Sequence, residues 1–370
     1  MNCKHFGECG SCTIYNISYQ EELENKKRRV LSKLSHFGIE SLEIFSDVNS
    51  NYRARAEFRI WHNDNGISYA MGRLDKKGSI NIDECPKVIS SIESRMKPLL
   101  NIVALSKILK DRLFAIEFLA STSNECLVTM IYHKKLDKNW EEKAKELEKK
   151  IDISIIGRSR KQKLTLSREF ITQKLSIDGR EYIYRYYEGG FTQPNPMINI
   201  KMVEWAIKQA KSIGYGDFLE SYCGLGNFTI PLSKYFNKVL ATEISKNSIN
   251  SAKENCKLNK VNNIEFIRLS SQEMTEALSS KRRFRRLENI DLNSYNFSTV
   301  LVDPPRAGLD SATIKLISNI ENIIYISCNL ETLVRDLKEL SKTHTIKKGA
   351  FFDQFPHTTH IENGLFLVKN

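Results

Sequence analysis

The second half of the chain repeats one pattern, a short apolar run followed by an amphipathic stretch. This pattern constrains the fold more than any other feature. The apolar runs are DFLESY (217–222), KVLATE (238–243), IEFIRL (264–269), STVLVD (298–303) and NIIYIS (322–327). Strands that alternate with helices in this way predict a doubly wound parallel sheet, and hence an α/β fold. Two later runs, TIKKGAFFDQF and GLFLVKN, predict closing strands with an antiparallel edge.

The first half of the chain has a different rhythm. Residues 17–36 carry apolar side chains at helical spacing among many charges, which predicts a helix. Alternating runs then predict an antiparallel or mixed sheet with strands at 52–62, 67–74, 113–120 and 126–133. The Gly- and Pro-containing segment 184–199 indicates a linker. We therefore divide the chain into a cysteine-rich segment at 1–20, an α+β region at 21–185 and an α/β domain at 186–370.

The charge of the chain indicates what kind of partner it binds. Lys and Arg total 56 against 44 Asp and Glu, which gives a net charge of +12 and a pI near 9.2. This balance favours a polyanion, nucleic acid first. No window approaches the ~18 consecutive apolar residues of a membrane span, and the start, MNCKHFGECGSC, does not resemble a secretory signal. We therefore expect a cytoplasmic protein with no membrane contact, and nothing implies an obligate protein partner.

The turn after the first strand of the α/β domain is a candidate ligand loop. Gly224 and Gly226 allow its backbone to approach a ligand at the edge where such sheets bind ligands. Glu243 ends the next strand, where an acid can accept both hydroxyls of a ribose. The pattern fits a dinucleotide or S-adenosylmethionine. The methyl donor is favoured because the loop lacks the third glycine of GxGxxG, and because Asp303-Pro304-Pro305-Arg306 at the end of the fourth strand would place polar groups beside a methyl acceptor.

Cys328 directly follows the fifth strand and is the candidate nucleophile. Its position predicts a place in the ligand crevice, and the positive end of the following helix predicts a lowered thiol pKa. Glu362 precedes the last apolar run and could serve as a general base in a closed site. The alternatives are a small core cysteine and a solvated acid at a turn. Three further cysteines are interpreted as packing residues: Cys126, Cys223 and Cys256.

Four other cysteines form a candidate metal site. Cys3, Cys9 and Cys12 lie close together in the sequence, and Cys85 follows in DECPKV. Disulfides are rare in a reducing cytoplasm. The four thiols could instead hold a tetrahedral zinc ion or a four-iron cluster. An unliganded terminus is the remaining alternative.

Motifs spread along the chain resemble a known family, the uracil-5-methyltransferases of RNA. FTQPN, YCGLGNF, VDPPRAGLD, YISCN and HIENG occur in the family's order and spacing. The transfer-RNA members are the more similar ones. Segments that resemble them are YRARAEFRIWH, LVTMIYHKKLD, IGRSRKQKL, FRRLENIDLNSYNF and FDQFPHTTH. The resemblance covers nearly the whole chain beyond its cysteine-rich start.

The resemblance implies a Rossmann-like, class I S-adenosylmethionine-dependent methyltransferase domain with an N-terminal α+β RNA-binding region. Residues implied to line the S-adenosylmethionine site are Gln193, Tyr222, Asn227, Glu243 and Asp303. Cys328 would add to carbon 6 of uracil, and Glu362 would remove the proton from carbon 5. The implied substrate is uridine 54 in the T-loop of tRNA, and transfer-messenger RNA is a second candidate.

The resemblance also bears on the cysteines. Their spacing is similar to the iron–sulfur motif of the ribosomal-RNA members, which favours a [4Fe–4S] cluster over zinc at Cys3, Cys9, Cys12 and Cys85. The alternatives for function are therefore the same reaction on 23S ribosomal RNA, a non-catalytic iron–sulfur RNA-binding protein, and a methyltransferase of small molecules or proteins.

The first half of the chain mixes cations with aromatic side chains, as RNA-binding surfaces do. The candidates in 52–62 are Tyr52, Arg53, Arg55, Phe58, Arg59, Trp61 and His62. Phe114 resembles an aromatic position that the family uses against RNA. Basic clusters at 133–135, 158–163 and 281–286 are further candidates. Alternatively, the aromatic residues pack the sheet and the cations are solvated.

Overall fold

The computed structural model describes residues 1–64, 66–279, 282 and 284–370, whose strands form two large sheets and a hairpin. The helices are α1 (Tyr19–Leu34), α2 (Ser90–Leu105), α3 (Lys107–Lys110), α4 (Lys138–Lys150), α5 (Pro196–Ile213), α6 (Thr229–Leu232), α7 (Lys246–Leu258), α8 (Ser271–Leu278), α9 (Ser311–Ile317) and α10 (Leu330–Leu340). The strands are β1 (Glu43–Phe45), β2 (Arg55–Asn63), β3 (Gly66–Gly72), β4 (Ser79–Ile82), β5 (Leu113–Ala120), β6 (Cys126–Tyr132), β7 (Ser154–Ser159), β8 (Gln162–Thr165), β9 (Phe170–Ile177), β10 (Arg180–Tyr187), β11 (Asp217–Ser221), β12 (Val239–Thr242), β13 (Ile264–Ile267), β14 (Phe297–Val302), β15 (Asn322–Ser327), β16 (His344–Phe352) and β17 (Glu362–Lys369). None of the helices in these described ranges is long and apolar enough to cross a membrane.

The eight-stranded sheet has the order β1-β16-β17-β15-β14-β11-β12-β13. Strands β11 to β15 run parallel to their neighbours within this group, which confirms the predicted Rossmann-like α/β fold. Strand β17 is antiparallel to both β15 and β16 and lies between them. Strand β1, from far earlier in the chain, adds in parallel beside β16 at the sheet edge.

Both faces of this sheet are buried, which explains why its strands are apolar at almost every position. All six residues of β15 are buried, for example. Successive side chains of a strand point to opposite faces. Phe218 accordingly packs with Trp205 and Phe352 on one face, while Leu219 packs with Tyr325 and Leu337 on the other. The two cores hold the carboxyl ends of the strands in fixed positions.

The seven-stranded sheet has the order β4-β3-β2-β5-β6-β7-β8 and is antiparallel except for the β6–β7 pair. The mixed sheet that the alternating pattern predicts is therefore present. Along β2, Phe58 and Ile60 are buried in a core that includes Trp140, whereas Arg59 and Trp61 are exposed on the other face. Along β2 one face of this sheet is thus packed and the other open, whereas β6 is buried on both faces, with Leu127 in the core of the large sheet.

The linker between the two sheets is shorter than predicted. Strand β10 continues to Tyr187 and pairs with β9 over its whole length, and α5 begins at Pro196 with Asn195 as its N-cap. The irregular segment is therefore 188–195 rather than 184–199. The alternating tyrosines of β10 pack against the large sheet, which the Gly and Pro residues of this segment obscure in the sequence.

Helix α1 is fixed to the large sheet by a buried cation. The Nζ atom of Lys26 lies 2.7 Å from Glu22 Oε1 and 2.7 Å from Asp353 Oδ1, and all three side chains are buried. The hydroxyl of Tyr19 donates a second hydrogen bond to Asp353, at 2.7 Å. Buried charges are stable only when they are paired and hydrogen-bonded in this way. The network anchors the segment that leads to Glu362.

Candidate active site

The turn between β11 and α6 is shaped by residues with positive φ angles. Tyr222, Gly224 and Gly226 have φ values of 66°, 56° and 88°. Glycine adopts this region without strain. The carboxylate of Glu243, at the end of β12, accepts hydrogen bonds from Gly224 N at 3.3 Å and Ser245 N at 2.8 Å. The predicted acid and the predicted turn are therefore held together at the carboxyl edge of the sheet.

Several buried polar atoms at this edge lack a hydrogen-bond partner among the described residues. They include Asn195 Nδ2, Ser221 Oγ and Asn363 Oδ1. Buried polar groups are normally paired. Unpaired donors and acceptors beside a glycine turn fit a polar ligand such as S-adenosylmethionine, which carries amino, carboxylate and hydroxyl groups.

The remaining residues that are predicted to bind the methyl donor differ in how many of their polar atoms are already hydrogen-bonded. Gln193 accepts a hydrogen bond from Gln354 Nε2 at 3.3 Å. The amide of Asn227 is engaged on both atoms by Asn199 of α5, at 2.8 Å each. Tyr222 is half-buried, and burial raises the pKa of its hydroxyl. Asn227 is thus already paired, whereas Gln193 retains its amide nitrogen for a ligand.

The insertion of β17 brings Glu362 to Cys328. Ser327 pairs with Asn363 at the last register position between β15 and β17, and Cys328 and Glu362 are the next residues on the two sides. Asn329 caps α10 by accepting from Glu331 N at 3.1 Å and donates from Nδ2 to Arg306 O at 2.9 Å. The loop after β15 is thereby tied to the loop after β14, which carries Asp303.

The surroundings of Cys328 raise the pKa of its thiol, whereas the sequence predicted a lowered pKa. Burial, followed by the negative charges of Glu362 and Asp303, raises the pKa of Cys328 to about 11, while Arg306 opposes the rise. The prediction of a lowered pKa is therefore wrong, because desolvation and two neighbouring carboxylates outweigh the end of α10. At rest, the thiol is protonated at neutral pH.

The two carboxyl groups are also perturbed. Burial and the charge of Asp303 raise the pKa of Glu362 well above its usual value, and Arg306 opposes this. Desolvation raises the pKa of Asp303 to about 7. Two such groups near one thiol can hold and move a proton at neutral pH. Cys328, Glu362 and Asp303 are therefore close enough for their charges to act on one another.

One acid of this edge is absent from the sequence-based set. Glu220 lies in β11, is buried, and has its pKa raised by that burial. Asp303 is one of the charges that raise it further. The signal in the sequence is an acid that directly follows the apolar pair Phe218-Leu219 in a strand buried throughout, and an acid is costly to bury without a function or a partner.

The four N-terminal cysteines converge in the structure. Cys3, Cys9, Cys12 and Cys85 all line one small cavity of about 20 Å³. Burial raises the pKa of Cys12 to about 11, and the other three thiols contribute to the rise. Within the described ranges, however, no group of three or more His, Cys, Asp or Glu side chains is arranged to hold a metal ion. The donor set is right for a metal or cluster, but the sulfurs do not surround a single ion.

The candidate RNA-binding residues divide between core and surface. Tyr52 and Phe58 are buried, so for these two candidates the packing alternative holds; the Tyr52 hydroxyl donates to Pro356 O at 2.9 Å. Trp61 is 52 % exposed. Phe114 stacks on His133, with ring centroids 4.3 Å apart, at the open face of the seven-stranded sheet.

Several of the charged candidates are held in ion pairs. Arg55 pairs with Glu117 at 2.5 Å, and Arg158 pairs with Glu188 at 2.6 Å. In the basic cluster 281–286, Lys281 and Arg283 lie outside the described residues. Arg286 of that cluster pairs with Glu273 at 3.0 Å.

The sheet order, the glycine turn and the acid after the second parallel strand define a class I S-adenosylmethionine-dependent methyltransferase fold. The family model described as tRNA (Uracil-5-)-methyltransferase matches residues 18–370. The chain therefore belongs to the tRNA (uracil-5-)-methyltransferase family and is an enzyme of that family.

Individual relatives agree with this assignment. The chain is 63% identical over 370 residues to a tRNA/tmRNA (uracil-C(5))-methyltransferase of a Sulfurovum species, with 100% of both chains covered. It is 54% identical over 369 residues to a protein of the same name from a Nitratiruptor species, again with 100% coverage of both. Among solved structures, it resembles Pyrococcus abyssi tRNA (uracil-54, C5)-methyltransferase in complex with S-adenosyl-L-homocysteine. The TM-score is 0.74 at 24% identity, with 97% of this chain and 86% of that chain covered.

Proposed function

We propose that this enzyme methylates carbon 5 of uridine 54 in the T-loop of tRNA, and a matching loop of transfer-messenger RNA, through a covalent bond from Cys328 to carbon 6. The observation that carries the proposal is the meeting of Cys328, Glu362 and Asp303 at the edge that also holds the glycine turn. The names of the relatives, which refer to both tRNA and tmRNA, support the choice of substrate. A cytoplasmic location follows from such substrates.

Carbon 5 of uracil is a weak nucleophile, and the proposed role of Cys328 is to activate it. The sulfur forms a bond to carbon 6, and the electrons of the 5,6 double bond move to the oxygen on carbon 4. S-adenosylmethionine supplies an electrophilic methyl group when it is bound. After carbon 5 carries the methyl, a base removes its proton, the double bond re-forms and the sulfur leaves. The target base must be extruded from the folded loop to reach this site.

Glu362 is the proposed base. Its raised pKa makes its carboxylate a stronger proton acceptor than an exposed glutamate would be. The thiol proton must also leave as sulfur attacks, and the pair of carboxyl groups offers a place for it. Arg306 lies close enough to lower the pKa of both Cys328 and Glu362. We assign to Arg306 the stabilisation of negative charge on the uracil ring.

The donor is proposed to lie between the glycine turn and Asp303. Glu243 would accept the ribose hydroxyls, since its carboxylate is already oriented by Gly224 N and Ser245 N. The other proposed contacts to S-adenosylmethionine are Gln193, Tyr222, Asn227 and Asp303. Residues 186–370 would form the methyltransferase domain. Residues 21–185, apart from α1 and β1 on the large sheet, would form the RNA-binding region.

A tRNA transcript with cytidine in place of uridine 54 tests the position. With the unaltered transcript, we expect about one methyl group per RNA molecule. With the variant, we expect methyl transfer at less than a hundredth of the rate on the unaltered transcript, because the extruded base must offer a C4 oxygen to the electrons displaced by sulfur. The measurement is transfer of a labelled methyl group, followed by nucleoside analysis. A 23S ribosomal RNA fragment is the control substrate. Equal labelling of both transcripts, or labelling of the ribosomal fragment alone, would contradict the proposal.

We also propose that Cys3, Cys9, Cys12 and Cys85 hold a [4Fe–4S] cluster. Four thiols line one cavity, and Lys87 beside them would offset the negative charge of a thiolate cluster. In a four-iron cluster each thiolate binds a different iron, so the sulfurs need not surround one ion, whereas zinc requires four sulfurs at about 2.3 Å from a single centre. The proposed methyl transfer has no redox step. The proposed role of the cluster is therefore structural, to stabilise the N-terminal segment.

Replacement of Cys12 by serine is expected to remove the cluster. Protein purified without oxygen should carry about four irons and absorb visible light near 400 nm, whereas Cys12→Ser should lose both signals and unfold at a temperature several degrees lower. Iron analysis, absorbance and thermal unfolding measure this. The matched control is Cys126→Ser, a buried cysteine elsewhere in the N-terminal half. Zinc in place of iron in the anaerobic protein would exclude a cluster.

A further inference from the structure

A second cavity lies between the cysteine-rich segment and the catalytic edge. It has a volume of about 360 Å³, which is large enough for a nucleotide. Its walls come from the N-terminal segment, the first half of β2 with Arg53 before it, Met71 of β3, the segment 85–88, and the loops that carry Arg306 and His360. Arg306 also acts on the pKa of Cys328, so the cavity and the catalytic cysteine are neighbours.

The lining of this cavity is strongly positive. Its cationic side chains are Arg53, Lys87 and Arg306, and His360 lies among them with Arg306 Nη2 3.0 Å from its Nδ1 atom. Of the described lining residues, only Glu57 is acidic. The pKa of His360 is lowered first by burial and then by the positive charges of Arg306, Lys26, Arg53 and Lys87. Several positive charges therefore act on one site in this cavity.

Arg53 is the least satisfied of these cations. It is half-buried, and no described residue gives its guanidinium a hydrogen bond or an ion pair. A desolvated guanidinium without a partner is costly. Lys87, in contrast, is held by Ser11, whose carbonyl oxygen accepts from Nζ at 3.0 Å. An arginine that is desolvated without a protein partner is suited to an anion that arrives with a ligand.

We propose that this cavity, through Arg53 in its wall, binds a backbone phosphate of the RNA next to the extruded uridine. The inference rests on the proposed function, since it takes the uridine at Cys328 as the fixed point from which the strand continues into the cavity. Phosphate contacts position an RNA without reading its sequence. The N-terminal segment, which supplies Gly10, Ser11 and Thr13 to the wall, is thereby part of the substrate-binding surface.

An alternative role for Arg53 is to balance the negative charge of a metal cluster in the small thiol-lined cavity. Arg53 lies within electrostatic reach of Cys85 and Cys12. However, Arg53 does not line the thiol cavity, whereas Lys87 lines both cavities. Lys87 can therefore serve either cavity, whereas Arg53 is available only to the larger one.

The test is the salt dependence of RNA binding by Arg53→Met. With a T-stem-loop RNA, we expect about tenfold weaker binding, and a slope of log affinity against log salt that is smaller by about 0.7, the loss of one phosphate contact in a single strand. The control is Arg28→Met on α1, an exposed arginine that donates a hydrogen bond to Asn25 of the same helix, and its slope should equal that of the unaltered enzyme. Arg53→Lys, which keeps the charge, should restore the slope.

A neutral methylphosphonate at single linkages beside the target uridine locates the phosphate. At the contacted linkage, the substitution should weaken binding by the unaltered enzyme and leave Arg53→Met unaffected, because the two changes remove the same contact. Additive losses at every linkage of the loop, or an unchanged salt slope in Arg53→Met, would overturn the inference. So would a loss of iron from Arg53→Met with an unchanged slope, which would assign Arg53 to the cluster.

These outcomes are separate from failure of the proposed function. If the unaltered enzyme methylates uridine 54 and Arg53→Met shows the same slope, the cavity proposal alone is wrong. If the unaltered enzyme methylates no uridine in tRNA, the proposed function fails first. Retained S-adenosylmethionine binding and an unchanged unfolding temperature show that Arg53→Met is folded.

Discussion

Replacement of Cys328 by alanine is expected to reduce methyl transfer to tRNA by at least about 10⁴-fold, because carbon 5 is not activated without the bond from sulfur to carbon 6. Binding of S-adenosylmethionine should change by less than about twofold, since the proposed donor contacts lie on other strands. The measurement is single-turnover transfer of a labelled methyl group. Cys256→Ala is the control, because it removes a thiol from α7, away from the proposed site, and should leave the rate nearly unchanged.

Replacement of Cys328 by serine tests whether the sulfur atom itself is required. A serine hydroxyl fits the same space, but its oxygen is a far weaker nucleophile than a thiolate. Burial and the neighbouring carboxyl groups, which together raise the pKa of the cysteine to about 11, would disfavour an alkoxide still more. We expect Cys328→Ser to be as inactive as the alanine variant. Full turnover by either variant would mean that the thiol is a packing residue.

Replacement of Glu362 by glutamine is expected to slow turnover by about 10²- to 10⁴-fold while the methylated RNA–protein adduct accumulates. Glutamine cannot accept the proton from carbon 5, so the intermediate forms but does not resolve. The side chain is buried beside β15, and glutamine keeps its shape. The measurement is a slowly migrating RNA–protein band on a denaturing gel, with ordinary uridine in the RNA.

The control for this prediction is Glu339→Gln on α10, whose carboxylate is 56% exposed. It should show neither the rate loss nor the band. A Glu362→Gln enzyme that turns over normally would remove Glu362 from the mechanism and leave Asp303 as the nearest candidate base. If Glu362→Gln is slow but forms no adduct, then Glu362 acts before the bond between Cys328 and carbon 6 is made.

The parallel strands of the large sheet were predictable because their burial on both faces leaves continuous apolar runs. Strand β15 matches its predicted range, and β11, β12, β13 and β14 differ by one or two residues at their ends. The polar residues after these strands followed directly, since the carboxyl ends of parallel strands share one edge. The missing third glycine and the run from Asp303 to Arg306 favoured S-adenosylmethionine over a dinucleotide, and the resemblance to the family implied the same donor.

Other features depend on contacts between distant parts of the chain. The insertion of β17 between β15 and β16 sets Glu362 beside Cys328, and no local pattern gives the order of strands in a sheet. Burial of the thiol, followed by the charges of Glu362 and Asp303, reverses its expected pKa shift. In β2, alternation was visible, but which face is covered depends on α4 and its Trp140, so Phe58 and Trp61 could not be told apart.

A trapped complex with 5-fluorouridine RNA tests the central claim most directly. Fluorine at carbon 5 cannot be removed as a proton, so the sulfur-bound, methylated intermediate should persist. After incubation of the enzyme with S-adenosylmethionine and a T-stem-loop carrying 5-fluorouridine at position 54, mass spectrometry of the digested complex should find one peptide, containing Cys328, joined to a methylated fluorouridine. A complex attached through any other residue, or complete methylation of ordinary tRNA by an enzyme that never forms this bond, would contradict the mechanism.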